Sequence, residues 1–136
     1  MIYPTSTLTP ILIADGNRWV RAALRSLIAA EPGLLVVAEA GSTEEVEAQD
    51  AACAPDVVLL DLGLASEAGS LALLRLLAGG RRRAVVATDM HVRLRAAALA
   101  AGACAFLEKG ETPETVLATL HLAAEAHRAA LRRRSA

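Results

Sequence analysis

Five short runs of unbroken aliphatic residues recur along this chain, and between them the apolar positions change to a spacing of three and four. The runs are Ile11-Leu12-Ile13-Ala14, Leu34 to Ala38, Val57-Val58-Leu59-Leu60, Ala84-Val85-Val86-Ala87 and Ala103 to Leu107. None alternates apolar with polar, which predicts strands buried on both faces of a parallel sheet. The segments between them are helical by period. From Arg18 to Ala30, Val20, Ala23, Leu24, Leu27 and Ile28 share one side while Arg18, Arg21 and Arg25 take the other, and Glu31-Pro32-Gly33 stops the helix. Ser42 or Thr43 caps a second helix with Glu44 and Glu45 in its first turn, running to about Ala54. A loop through Ser66 and Gly69 leads into a Leu-rich third helix that ends at Ala78, before Gly79-Gly80. The fourth, Val92 to Ala101, is Ala-rich with few large anchors and should be the most loosely held. Thr112 caps the fifth, which has Pro113 in its first turn and extends to about Arg132. Strands alternating with helices in this way are βαβ units, whose right-handed crossovers place helices on both faces of one doubly wound parallel α/β sheet, with strand order 2-1-3-4-5.

Every apolar run but the second stops at a chemically useful residue. Asp15 follows the first strand, Asp61 the third, Thr88 and Asp89 the fourth, and Lys109 lies just beyond the fifth. In the expected order the crevice opens at the carboxyl ends of strands one and three, so Asp15 and Asp61 flank it and Thr88 and Lys109 lie on the same edge. Two carboxylates, a hydroxyl and an ammonium form a plausible phosphoryl site. Asp61 would be the nucleophile and form an aspartyl phosphate, with a divalent cation neutralising the transferring group. Lys109 would pair with the phosphoryl oxygens, and Thr88 would donate its hydroxyl to them. Lys109 is the only lysine among 14 Lys and Arg residues, which singles out a rotatable point-charge donor at that position.

Length and charge limit the remaining classes. The 136 residues suit one domain, organised as an N-terminal tail (1–10), a folded unit (11–131) and a basic end or linker start (132–136). A formal net charge of −1 gives no general attraction to nucleic acid or to an anionic membrane, and charges interrupt every apolar run well short of a membrane span. Residues 1–9 lack the basic and apolar regions of a signal peptide. Cys53 and Cys104 fit no metal or redox motif, so small buried thiols in a reduced, cytoplasmic setting are expected. His91, His121 and His127 lack metal-ligand spacing and are expected at the surface. Arg81 to Arg83 and Arg132 to Arg134 are expected as solvated runs, Asp56 as structural, Trp19 as packing at a helix start near the site, and Phe106 as core. Asp15 and Asp61 also suit the capping of the helices that follow them.

The residues Ile11-Leu12-Ile13-Ala14-Asp15, Pro55-Asp56-Val57-Val58-Leu59-Leu60-Asp61, Val85-Val86-Ala87-Thr88 and Gly102-Ala103 through Phe106 to Lys109 occur in an order that resembles the receiver domains of bacterial response regulators. The likeness is greatest to the NarL/LuxR-type group, whose receivers precede a helix-turn-helix domain. It covers about Ile11 to Ala130 and implies a CheY-like, flavodoxin-like fold. It also implies a signalling domain, not an enzyme: Asp61 accepts phosphate from a sensor histidine kinase, Thr88 and Lys109 contact that phosphate, and Asp15, Asp61 and the Gly63 carbonyl bind Mg²⁺. Phe106 matches the family's switch aromatic. Dimer and signalling contacts are implied on the face of the fourth helix, fifth strand and fifth helix, or on that of the first and fifth helices. The resemblance places DNA binding in a C-terminal helix-turn-helix domain outside this chain, not in the receiver, and the output in transcription.

Four features depart from the family pattern. Gly16 stands where the family has a second acid that ligates the metal, and Asp89 where the residue after the conserved hydroxyl is small. Leu64-Ala65 replaces the usual Met-Pro, and the stretch after Thr88 is slightly short. With one carboxylate fewer, Mg²⁺ binding should be weakened. Asp89 either repels the phosphoryl group or substitutes as a ligand. The main alternative is a pseudo-receiver that dimerises or binds partners without phosphorylation. Two other classes fit less well. A haloacid-dehalogenase-type phosphatase would need an Asp at position 63, where the chain has Gly63, and a flavin or nucleotide carrier would need a phosphate loop that Gly16-Asn17-Arg18 does not provide.

Overall fold

A computed structural model describes residues 8–135. It contains a five-stranded parallel sheet in the expected order 2-1-3-4-5. The elements are β1 (Thr9–Ala14), α1 (Arg18–Ala29), β2 (Leu34–Ala40), α2 (Thr43–Cys53), β3 (Val57–Asp61), α3 (Glu67–Ala78), β4 (Ala84–Asp89), α4 (Arg95–Ala100), β5 (Ala105–Glu108) and α5 (Pro113–Ser135). Every residue of β3 is buried, as the apolar run requires of a central strand.

Alternation along the strands divides the core into two layers. Ile11, Ile13, Val57, Leu59, Val86 and Leu107 pack beneath α1 and α5. Leu12, Leu60, Val85, Ala87 and Phe106 pack on the other side with residues of α2, α3 and α4. Phe106 is therefore core, on the face opposite α1 and α5.

Several boundaries differ from those read off the sequence. β1 begins at Thr9, whose N–H donates to the Gly33 carbonyl at 2.9 Å, and residues 1–7 of the expected tail lie outside the described residues. Gly69 lies inside the first turn of α3, because the Ser66 hydroxyl accepts from the Gly69 N–H at 3.0 Å and starts the helix earlier. The fourth helix divides into a 3-10 turn at Val92–Leu94 and the six residues of α4, anchored by buried Leu94 and Ala98. Gly102 turns the chain into β5 at φ +113, where a Cβ would approach that of Ala78 at 3.0 Å; only glycine suits both constraints.

Three expected environments are corrected. Trp19 packs on nothing in the core. It is 69% exposed, because it falls on the polar side of α1, and Arg18 lies over its ring at 4.7 Å. Cys104 is exposed and Cys53 partly buried, so the buried-thiol expectation fails at Cys104; both are free. His127 is buried, since it continues the inward stripe Leu120, Ala123, Ala124 of α5.

Candidate functional site

β1, β3, β4 and β5 each place one polar residue on the same side of the sheet at its carboxyl edge. Asp15 lies two residues beyond Ile13, Asp61 beyond Leu59, Thr88 beyond Val86 and Lys109 beyond Leu107, all residues of the layer beneath α1 and α5. The period of two therefore carries the polar set to one face. Parallel register makes Asp61 and Thr88 direct neighbours across β3 and β4.

Three of these side chains meet. The Lys109 Nζ donates to Asp15 Oδ2 at 2.7 Å and lies 3.2 Å from Asp61 Oδ2. Both aspartates are buried, at 3% and 8% exposure. Their other oxygens are held locally: Asp15 Oδ1 accepts the Asn17 N–H at 2.9 Å, and Asp61 Oδ1 accepts the Gly63 N–H at 3.1 Å. The capping reading is thus partly realised. Asp61 caps the 3-10 turn Leu62–Leu64, while Asn17, not Asp15, caps α1 by accepting from the N–H groups of Trp19 and Val20. Arg21 Nη1 donates to the Asp15 carbonyl at 2.7 Å and secures the end of β1. Asn17 and Arg21 were not identified from the sequence, although an Asn directly before an amphipathic helix is a legible capping signal.

Burial raises the Asp61 pKa and the charge of Asp15 adds to that; the Gly63 N–H and Lys109 oppose the rise without cancelling it. Burial works against the charged form of Lys109, but its hydrogen bond to Asp15 and the two carboxylate charges outweigh that and raise its pKa. The ammonium thus stays charged between two carboxylates. Beside it lies a cavity of about 230 Å³, lined by Asp15, Thr88 and Lys109 together with Val20 and Leu24 of α1 and Val116 of α5.

Two of the departures, Gly16 and Asp89, behave differently. Position 16 is open: a Cβ there would meet only the Gly41 carbonyl oxygen at 3.9 Å, so a larger residue fits. Asp89 follows the other alternation, with Val85 and Ala87. Its Oδ2 accepts the N–H of His91 at 2.9 Å, and its backbone carbonyl accepts the Lys109 N–H at 2.9 Å. Asp89 therefore closes its own turn. Among the described residues no cluster of three or more His, Cys, Asp or Glu side chains is placed to hold a metal. Asp15, Asp61 and the Gly63 carbonyl remain as candidate oxygen ligands, one carboxylate short of the family set.

A family model for the response regulator receiver domain matches residues 11–121. The nitrate/nitrite response regulator protein NarL of Escherichia coli K12 is 33% identical over 116 residues, covering 84% of this chain and 54% of NarL. The response regulator UvrY of Escherichia coli O6:H1 is 29% identical over 112 residues, covering 81% of this chain and 51% of UvrY. The chain thus spans about half the length of these curated relatives. Among solved structures, a two-component response regulator of the LuxR family from Aurantimonas sp. SI85-9A1 superposes with a TM-score of 0.77 at 25% identity, over 88% of this chain and 86% of that one. Among the described residues no helix is long and apolar enough to cross a membrane.

Proposed function

Because the chain belongs to the response regulator receiver domain family, the signalling modules of two-component systems, we propose that Asp61 is its phosphoacceptor and that a sensor histidine kinase is the donor. In the transfer the P–N bond of a phosphohistidine breaks, an Asp61 carboxylate oxygen forms the new P–O bond, and the departing imidazole nitrogen takes a proton from solvent. One observation carries this reading: Lys109 holds the buried carboxylates of Asp15 and Asp61 together at the switch point of the sheet. After transfer, its ammonium pairs with the phosphoryl oxygens, and Thr88, the neighbour of Asp61 across the strands, donates its hydroxyl to them.

Mg²⁺ is the implied cofactor, and the donors present fit a hard cation, with Asp15, Asp61 and the Gly63 carbonyl as its ligands. When bound it neutralises charge on the transferring group. Its affinity is reduced by Gly16. Asp89, turned to its own loop, offsets nothing. The phosphorylation-independent alternative has less support, since the Asp15, Lys109, Asp61 cluster is intact.

Movement of Thr88 toward the phosphoryl group shifts an existing equilibrium in α4 and β5, with Phe106 as the aromatic that responds. Exposed Met90, Val92 and Leu99, on α4 and the turn before it, support the α4, β5, α5 face as the dimer and signalling surface. The output is transcriptional, through a helix-turn-helix domain outside this chain. The test is incubation with a small phosphodonor and Mg²⁺, read by intact mass. A magnesium-dependent, acid-labile phosphate that is lost in Asp61→Asn is expected, and a phosphate retained in that variant would overturn the assignment.

A further inference from the structure

Arginines from two runs unused by the carboxyl-edge site meet at the opposite, amino-end pole of the sheet. Arg83, directly before β4, and Arg133 in the last turns of α5 line one groove of about 200 Å³ together with His127 and Cys104. Arg134 also approaches: a Cβ built on Gly80 would lie 3.7 Å from its Nη2. The space exists because the walls are small, Ala130 and Gly102 among them.

Charge at this pole is incompletely balanced. Asp50 is shared by Arg82 at 3.1 Å and Arg83 at 2.6 Å, whereas Arg133 has no ion-pair partner among the described residues. His127 is 6% exposed, its Nε2 lies 3.2 Å from Asp56 Oδ1, and its Nδ1 has no hydrogen-bond partner among the described residues. Guanidinium groups from two separate elements suit an anion whose oxygens point in several directions. A planar carboxylate would be satisfied by one guanidinium fork. Among the described residues no Phe, Tyr or Trp lines the groove to stack a base.

We propose that this groove is a phosphate-binding site, distinct from Asp61, that takes the phosphate group of a small phosphorylated ligand or of a nucleic-acid backbone. The probe is inorganic phosphate, added to the ¹⁵N-labelled protein at constant ionic strength while the amide resonances of Gly102, Cys104 and Ala126 to Ala130 are followed. Saturable shifts at these amides are expected, with affinity reduced about tenfold in Arg133→Gln and binding lost in Ala130→Leu, which fills the groove and leaves its charges in place. A short DNA duplex that competes with phosphate identifies the backbone as the source; competition by small phosphate esters but not by duplex identifies a small ligand. Shifts reproduced by chloride, shifts unchanged in both variants, or no saturable shift at these amides would overturn the proposal.

Discussion

Thr88 and Asp89 are the last two residues of β4 and have opposite fates. Thr88 follows Val86 onto the α1 and α5 side of the sheet, where it borders the same cavity as Asp15 and Lys109. Asp89 follows Ala87 onto the other side and spends its carboxylate on the His91 N–H. The chemistry of the carboxyl edge is thus partitioned by strand alternation, not by distance along the chain. An acid near the site in sequence does not join it, whereas Lys109, 94 residues from Asp15, does.

That partition is open to direct attack. Asp61→Asn has the largest expected effect, complete loss of phosphate incorporation by intact mass. It also has a pH signature. Because burial raises the Asp61 pKa in the folded state, the folded protein holds that proton more tightly than the unfolded chain. The Asp61 contribution therefore favours folding at low pH and declines as pH rises from the ordinary carboxylate range through the raised value. Denaturant melts at a series of pH values should show that decline in the native protein and a flatter profile in Asp61→Asn.

Lys109→Met comes next. It leaves two buried carboxylates without their cation. The several kcal/mol usual for breaking a buried pair is reduced to about 2 kcal/mol, since the lysine side chain is 23% exposed. Chemical denaturation measures the loss, and Asp61→Asn in the same chain should restore part of it. A smaller change is expected of Gly16→Asp, which enters open space and should tighten Mg²⁺ binding about tenfold by titration calorimetry. An unchanged affinity would mean that another group already supplies the missing ligand. Least affected is Asp89→Ala, which gives up one turn hydrogen bond, costs about 1 kcal/mol in denaturant, and leaves Mg²⁺ affinity as it was. A marked rise or fall in that affinity would erase the distinction between the two faces.

The sheet was legible because its strands are buried on both faces, so Val57 to Leu60 and Val85 to Ala87 needed no neighbour to be recognised. The polar strand ends were legible for the same reason, since a carboxylate directly after such a run has only the edge to occupy. Adjacency to Thr88 in sequence does not carry over into space for Asp89, and the alternation that separates the two is visible in the sequence. Residue type alone places Trp19 inside and His127 outside. The helical phase of α1 and α5 decided otherwise, and the stripe Leu120, Ala124, His127 was available to be read. The partnership of Arg82 and Arg83 with Asp50 spans more than thirty positions and had no local signal. Nor did the meeting of the two arginine runs.

Helix α5 has a mechanical consequence. It begins four residues after Lys109 and runs 23 residues to the opposite pole, a rod of about 35 Å at 1.5 Å per residue. Its first turn sits beside the loop that carries the lysine, and its last turns bear Arg132 to Arg134. Lever geometry then sets the gain: a tilt of roughly 10° about the first turn would carry the far end some 6 Å, or about one helical pitch. A sub-ångström adjustment at the lysine loop would thus be read out as a displacement several times larger at the other end of the molecule.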